Sequence, residues 1–177
     1  MKFINLIILF YINFFYLNAL AQTIAIINVQ SLIDNNQQYI NILKDIENDQ
    51  KKYLNKFQKK ENELKNLIKD INDSELILSE NEINLKIDNY NKNLNDYTIL
   101  IENFNLHYQK QIVNIRETIL KEILILLEKY AIDNNTDLIL DSTSYLIASN
   151  SLDITSIIEN ELSIKKLKLE YINFEKN

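Results

Sequence analysis

Two apolar seams, each with the spacing of a coiled coil, occupy residues 37–108 and leave little freedom in how this chain folds. From Gln37 to Asn72, positions alternating by four and three are Tyr39, Leu43, Ile46, Gln50, Tyr53, Phe57, Lys60, Leu64, Leu67 and Ile71. Such a pattern presents one stripe of a long helix, with polar interruptions at Gln50 and Lys60. The second seam is Ile83, Ile87, Tyr90, Leu94, Tyr97, Ile101, Phe104 and Tyr108, with no polar member. Its period then lengthens toward fours at Ile112, Ile115, Ile119, Ile123, Leu126 and Tyr130, which relaxes left-handed supercoiling and signals a change of partner. Between the seams, Asp73 to Ser79 must reverse the chain. Ser79 with Glu82 fits a capping box and Leu78 with Ile83 a hydrophobic staple, so the second helix is predicted to begin at about Glu80. The result is an antiparallel hairpin with arms on the order of 50 Å and 80 Å at ~1.5 Å per residue. Pairing outward from the tip sets Tyr108 opposite roughly Leu43, the expected root of the hairpin.

The segments flanking the hairpin read differently. "TIAIINVQSLID", Thr23 to Asp34, reads as a strand apolar on both faces, which needs partners and cover. Partners appear after the long helix, which should stop near Asn134 and Asn135, residues that tolerate the left-handed conformation. "DLILD" places Leu138, Ile139 and Leu140 between two aspartates, and after "STS" a further apolar run, Tyr145 to Ala148, reads as a third short strand. A last amphipathic helix after "NSLDIT" offers Ile157, Ile158, Leu162 and Leu169 to cover the sheet. So small a core, with sheet edges open, predicts self-association through a body built on Ile24, Ile26, Ile27, Val29, Leu138, Ile139 and Leu140.

Composition excludes more than it identifies. Among the 177 residues there is no glycine, proline or cysteine. Phosphate-cradling loops, dinucleotide fingerprints and nucleophile elbows all need glycine at tight turns. Without cysteine there is no disulfide frame, thiolate metal site or lipoprotein acceptor. Residues 1–21 read as a cleavable export signal: Lys2 supplies the charged start, Phe3 to Leu17 an apolar run broken at Asn5 and Asn13, and "ALA" at Ala19 to Ala21 the small-x-small cleavage pattern. The alternative is an uncleaved membrane anchor, which needs roughly 20 apolar residues and is disfavoured by so short and interrupted a run. Loss of Lys2 takes the formal charge from -6 to -7, which argues against a nucleic-acid partner.

No catalytic constellation emerges, and we expect neither an enzyme nor a cofactor. Glu80 with Glu82, and Glu159 with Glu161, are two apart and do not face each other on a helix. His107, the only histidine, has no companion ligand for a metal and reads as a partly exposed helix-face residue. The one basic concentration is "KKYLNKFQKK", with Lys51, Lys52, Lys56, Lys59 and Lys60. It reads first as a solvated helix face and second as a contact for acidic chain segments. Leu76, Ile77 and Leu78 at the tip have little obvious cover; they read first as closing the end of the hairpin, with Leu78 in its staple, and second, if Leu76 and Ile77 are exposed, as an apolar contact.

The export signal followed by "IAIINVQSLI", the charged helical arm, and "TDLILD" leading to "SLDIT" resemble the Skp (OmpH) family of periplasmic chaperones over essentially the whole mature chain. That resemblance implies a fold that is mostly α with a small β body: a long antiparallel coiled-coil hairpin, or tentacle, on a short-stranded oligomeric sheet. It further implies a homotrimer whose tentacles enclose a cavity, holding unfolded outer-membrane β-barrel proteins in the periplasm without ATP. Known members tend to be basic along the tentacles, whereas this chain is acidic. The division expected is a signal at 1–21, an oligomerisation body from 22–36 and 132–177, and a tentacle at 37–131. The competing expectation is an exported coiled-coil scaffold or spacer of the cell envelope, which the arms alone would serve equally well.

Overall fold

The computed structural model describes residues 22–174, so the export signal read at residues 1–21 lies outside the described residues. The chain is mostly helical. Strand β1 (Ile24–Ile27) is followed by helix α1 (Val29–Asp34), the two arms α2 (Gln37–Ser74) and α3 (Glu80–Asp133), strand β2 (Leu138–Asp141), two single 3-10 turns, and helix α4 (Thr155–Ile164). At ~1.5 Å per residue the arms, of 38 and 54 residues, are about 57 Å and 81 Å long.

β1 and β2 pair in parallel, Ile24 with Leu138 through Ile27 with Asp141. The whole hairpin is thus the crossover that a parallel pair requires. The two aspartates that bracket β2 fix its partner at both ends. Asp137 accepts from the Thr23 amide at 2.8 Å, and Asp141 accepts from the Val29 amide at 3.1 Å. The "SLDIT" segment closes the opposite side of β1: Ile154 N–H donates to Ile26 at 3.0 Å, and the Asn28 amide donates to the Thr155 hydroxyl at 3.0 Å.

The body differs from the sequence expectation at three points. The last helix ends at Ile164, so Leu169 lies beyond it, and Ile157 is exposed. The strand read across Thr23 to Asp34 ends at Ile27, because Asn28 caps a helix: its side chain accepts from the Ser31 amide at 2.8 Å. Val29 therefore starts α1 instead of extending the sheet. The third strand, Tyr145 to Ala148, does not form. Asp141 accepts from both the amide and the hydroxyl of Thr143, turning the chain into a 3-10 turn. Asp153 then takes the bridge to Ile26, leaving Leu146 and Ile147 100% and 92% exposed.

The Asp141 carboxyl is held below the usual carboxylate range, chiefly by the Thr143 hydroxyl and with help from the Val29 and Thr143 amides, against the opposing effect of burial. A carboxyl whose folded pKa is depressed contributes stability that is present above the unfolded value and lost as pH falls through the folded one. Asp141→Ala should lower stability by about 1 kcal/mol near neutral pH, as loss of a helix-start acceptor does. In thermal melts the deficit should shrink as pH falls below ~4, the unfolded aspartate value. A deficit unchanged down to pH 2 would mean the carboxylate contributes only through packing.

The arms meet with Asp70 beside Lys86, the Tyr97 hydroxyl donating to Glu61 at 2.8 Å, and the Tyr108 hydroxyl donating to Asp49. Tyr108 therefore faces Asp49 and not the vicinity of Leu43. The tip explains the shift: Ile77 and Leu78 both donate to the Ser74 carbonyl at 3.0 Å, so the α2 side keeps climbing before it reverses. The capping box of Ser79 and Glu82 is present, with α3 starting at Glu80. At the far end Asn135 adopts φ 48°, the only positive φ among the described residues. Beyond Tyr108, Ile115, Ile119, Ile123 and Leu126 are buried in the body with Ile158 and Leu162 of α4, matching the change of period in the sequence.

Candidate functional site

The lysine run lies on α2, but most of its charge is already engaged by the same helix. Lys51 pairs with Glu47 at 2.7 Å, Lys52 with Asp49 at 3.1 Å and Lys60 with Glu63 at 2.8 Å. Lys56 sits over the Tyr53 ring, 5.0 Å from its centroid. Lys59 is exposed. The sequence showed a run without acids; helical spacing brings acids from either side to meet it. Exposed pairs of this kind add little stability and leave a weak net field.

The two polar seam positions come out differently. Lys60 points to solvent, and the buried polar residue is Asp49 rather than the neighbouring Gln50. Asp49 is stabilised by the Tyr108 hydroxyl and the Lys52 ammonium. Burial, reinforced by Asp49, pushes the Tyr108 phenol far above its usual range, so it remains a proton donor to that carboxylate at any physiological pH.

Further out, the arms separate enough to form a groove of about 1060 Å³, lined by Leu54, Phe57, Tyr97, Ile101 and Leu106 with Glu61 among its polar members. Leu54 and Leu106 are mostly exposed, as are Leu85 and, at the tip, Leu76 and Ile77, 97% and 82% exposed. The tip pair thus lies open and does not close the end of the hairpin. The groove was not read from the sequence, although it follows from a seam that thins: Ile87 and Leu94 occupy seam positions yet remain exposed.

In the body, Ile24, Ile26, Ile27, Leu138, Ile139 and Leu140 come together in the two strands, and Val29 lies half-buried beside them on α1. Ile26 and Ile27 are buried, whereas Leu138 is 46% exposed. Leu146 and Ile147, in the segment after β2, are uncovered apolar side chains, as are Leu124, Ile125 and Ile132 on α3. Among the described residues, β2 has no partner along its outer edge.

Arg116 was also missed. Its guanidinium donates to Asp34 and Gln30, both at 2.9 Å, and to the Tyr39 hydroxyl at 3.2 Å, tying α1 to the roots of both arms. The available signal was its being the only arginine in a lysine-rich chain, at a place where a planar fork of donors is needed. His107 is half-buried, and its Nε2–H donates to the Ile172 carbonyl at 2.6 Å. Among the described residues no group of three or more His, Cys, Asp or Glu side chains is placed to hold a metal ion. Nor is any helix among them long and apolar enough to cross a membrane.

The profile of the outer membrane protein (OmpH-like) family matches residues 23–162. No curated protein matches the chain. Among solved structures, a candidate outer membrane chaperone (OmpH-like) from Caulobacter crescentus superimposes with a TM-score of 0.62 at 11% identity, covering 88% of this chain and 94% of that one. At that identity the likeness is one of fold.

Proposed function

This chain belongs to the OmpH-like outer membrane protein family, and from that premise we propose that it is a periplasmic, ATP-independent holdase. Its clients on this reading are unfolded outer-membrane β-barrel proteins, kept from aggregating in a cavity between the tentacles of a homotrimer. The observation that carries the reading is the distribution of exposed apolar side chains along both arms and the tip: Leu54, Leu85, Leu106, Leu76 and Ile77. An unfolded chain offers short apolar segments at irregular spacing, and a row of separate apolar contacts on a rigid arm can engage several at once. A plain spacer gains nothing from leaving these residues uncovered. Assembly through the body is supported by the open edge of β2 and by the uncovered Leu146 and Ile147.

The charge pattern sets the mechanism. With a net charge of -6 and the lysine run mostly paired within its own helix, long-range attraction of acidic clients is weak. Capture rests on apolar and short-range contacts, with Lys51, Lys52, Lys56, Lys59 and Lys60 as local helpers. No catalytic role is proposed, and no cofactor.

The test is light scattering of an outer-membrane β-barrel diluted from urea, with the purified oligomer in excess and no nucleotide. Scattering should be suppressed. Most of that suppression should survive salt near 1 M, where the screening length falls from ~8 Å to ~3 Å. Absence of suppression would remove the holdase assignment, whereas suppression abolished by salt would leave the activity and overturn its apolar basis.

A further inference from the structure

Beyond α4 the described chain leaves the body. Residues 165–174 run back along the root of the hairpin in an extended path, beyond the family match, which stops at 162. Their burial alternates with the period of a strand. Leu167 is buried and Leu169 and Tyr171 are half-buried against the core, while Lys166, Lys168, Glu170 and Ile172 face solvent. Phe174 then inserts its ring among Tyr53, Phe104 and His107, with centroids at 5.6, 5.4 and 5.6 Å.

Among the described residues this segment pairs with no strand. Its backbone is held by side chains of the two arms instead. The Gln38 amide donates to the Lys165 carbonyl at 2.8 Å and accepts from the Leu167 amide at 3.0 Å. Carbonyl and amide two residues apart are the pair that one strand residue engages in a parallel ladder, so a side chain on α2 imitates a neighbouring strand. On α3, His107 and Gln111 take the carbonyl and the amide of Ile172, at 2.6 and 3.4 Å. All four contacts address main-chain atoms, which every sequence carries. What the groove selects is extended backbone with apolar side chains at alternate positions and an aromatic ring at the far end. An open crevice of about 530 Å³ lies beside Leu167, Leu169 and Tyr171.

We propose that this groove at the hairpin root is a binding site for extended, alternately apolar polypeptide segments of the kind that unfolded β-strands present, and that residues 165–174 are its resident competitor. The proposal rests on the client-binding reading above and adds a second site, distinct from the exposed apolar contacts of the distal arms. The tail holds the groove when no client is present, and a client strand enters by displacing it.

The test uses the full chain and a fluorescent synthetic peptide with the sequence of residues 165–174, KKLKLEYINF. Leu167→Ala combined with Phe174→Ala weakens the resident tail. By anisotropy the peptide should bind this variant at least tenfold more tightly than the wild type. An unrelated peptide alternating Leu and Tyr with Lys and Glu should compete, and a version of the tail peptide with serine at its four apolar inward positions should not. Equal affinity for the two proteins, no binding to a variant that remains helical by circular dichroism, or failure of the unrelated peptide to compete would overturn the proposal.

A reversible lock gives an independent check. The chain has no cysteine, so Asp45→Cys with Tyr171→Cys, at the point where the Tyr171 hydroxyl reaches the Asp45 carbonyl, can be joined by a short cleavable bis-thiol linker. Locking should abolish peptide binding and cleavage restore it; binding unaffected by the lock would place the peptide elsewhere. The two readings separate cleanly. Aggregation suppressed without any peptide binding would remove the groove and leave the holdase. Peptide binding as expected without suppression would remove the holdase and leave the groove.

Discussion

If the protein assembles as proposed, replacing Leu146 and Ile147 together by aspartate should convert it to monomers while leaving its helical content unchanged. Both side chains stand 100% and 92% exposed in the protomer, so charges there cost the isolated fold almost nothing. In a subunit interface the same charges would be desolvated without partners, a penalty of several kcal/mol or about 3–5 for an uncompensated buried charge. Because the penalty recurs at each symmetry-related contact, dissociation should be complete at micromolar concentration. Sedimentation velocity checks it. A variant that sediments like the wild type would place the subunit contacts outside this loop. Ile139, a natural first choice from the sequence, is a poorer probe: it packs against the protomer's own core, so a lysine there would damage fold and assembly together.

Phe104→Ala should be the most destabilising single truncation in the arms. The Phe104 ring contacts Phe57 at 4.9 Å, Tyr108 at 5.0 Å, Tyr53 at 5.3 Å and Phe174 at 5.4 Å, mostly edge to face. It therefore joins α2, α3 and the tail at one point. Removing a buried phenylalanine typically costs 3–5 kcal/mol, and the edge-to-face contacts add a share beyond area alone. In a chain of this size each kcal/mol shifts the melting midpoint by about 2–4 °C. We therefore expect a drop of roughly 6–20 °C by circular dichroism. Hydrogen exchange should show faster opening at Tyr53 and Tyr108 than at Ile119 or Ile158, which belong to the body. A midpoint within 2 °C of the wild type would mean that the aromatic cluster does not hold the root.

The sequence by itself determined the elements that rest on local chemistry. Seam spacing specifies two helices because apolar residues at threes and fours form one stripe on a 3.6-residue turn. The start of α3 at Glu80 follows from the reciprocal bonds of Ser79 and Glu82. Its end follows from Asn135, which adopts the left-handed conformation in a chain without glycine. The family pattern was legible for a related reason. The aspartates around β2 and the "SLDIT" segment are the side chains that hold β1 at both ends and on its free side.

Tertiary structure alone decided everything that depends on which surfaces meet. The hairpin register was set by the tip, where backbone bonds to Ser74 carry α2 upward before the turn; no periodicity contains that offset. The register in turn selected Asp49 over Gln50 as the buried polar residue, because the Tyr108 hydroxyl arrives opposite it. The apolar run Tyr145 to Ala148 had strand composition, but the ladder position on β1 went to Asp153, whose neighbours bond Ile26 and Asn28. Composition cannot rank two candidates for one edge. The path of residues 165–174 is the furthest from local control. Its alternation was present in the sequence, yet its partners Gln38, His107 and Gln111 are all more than sixty residues away, brought to one groove only by the folding of the two arms.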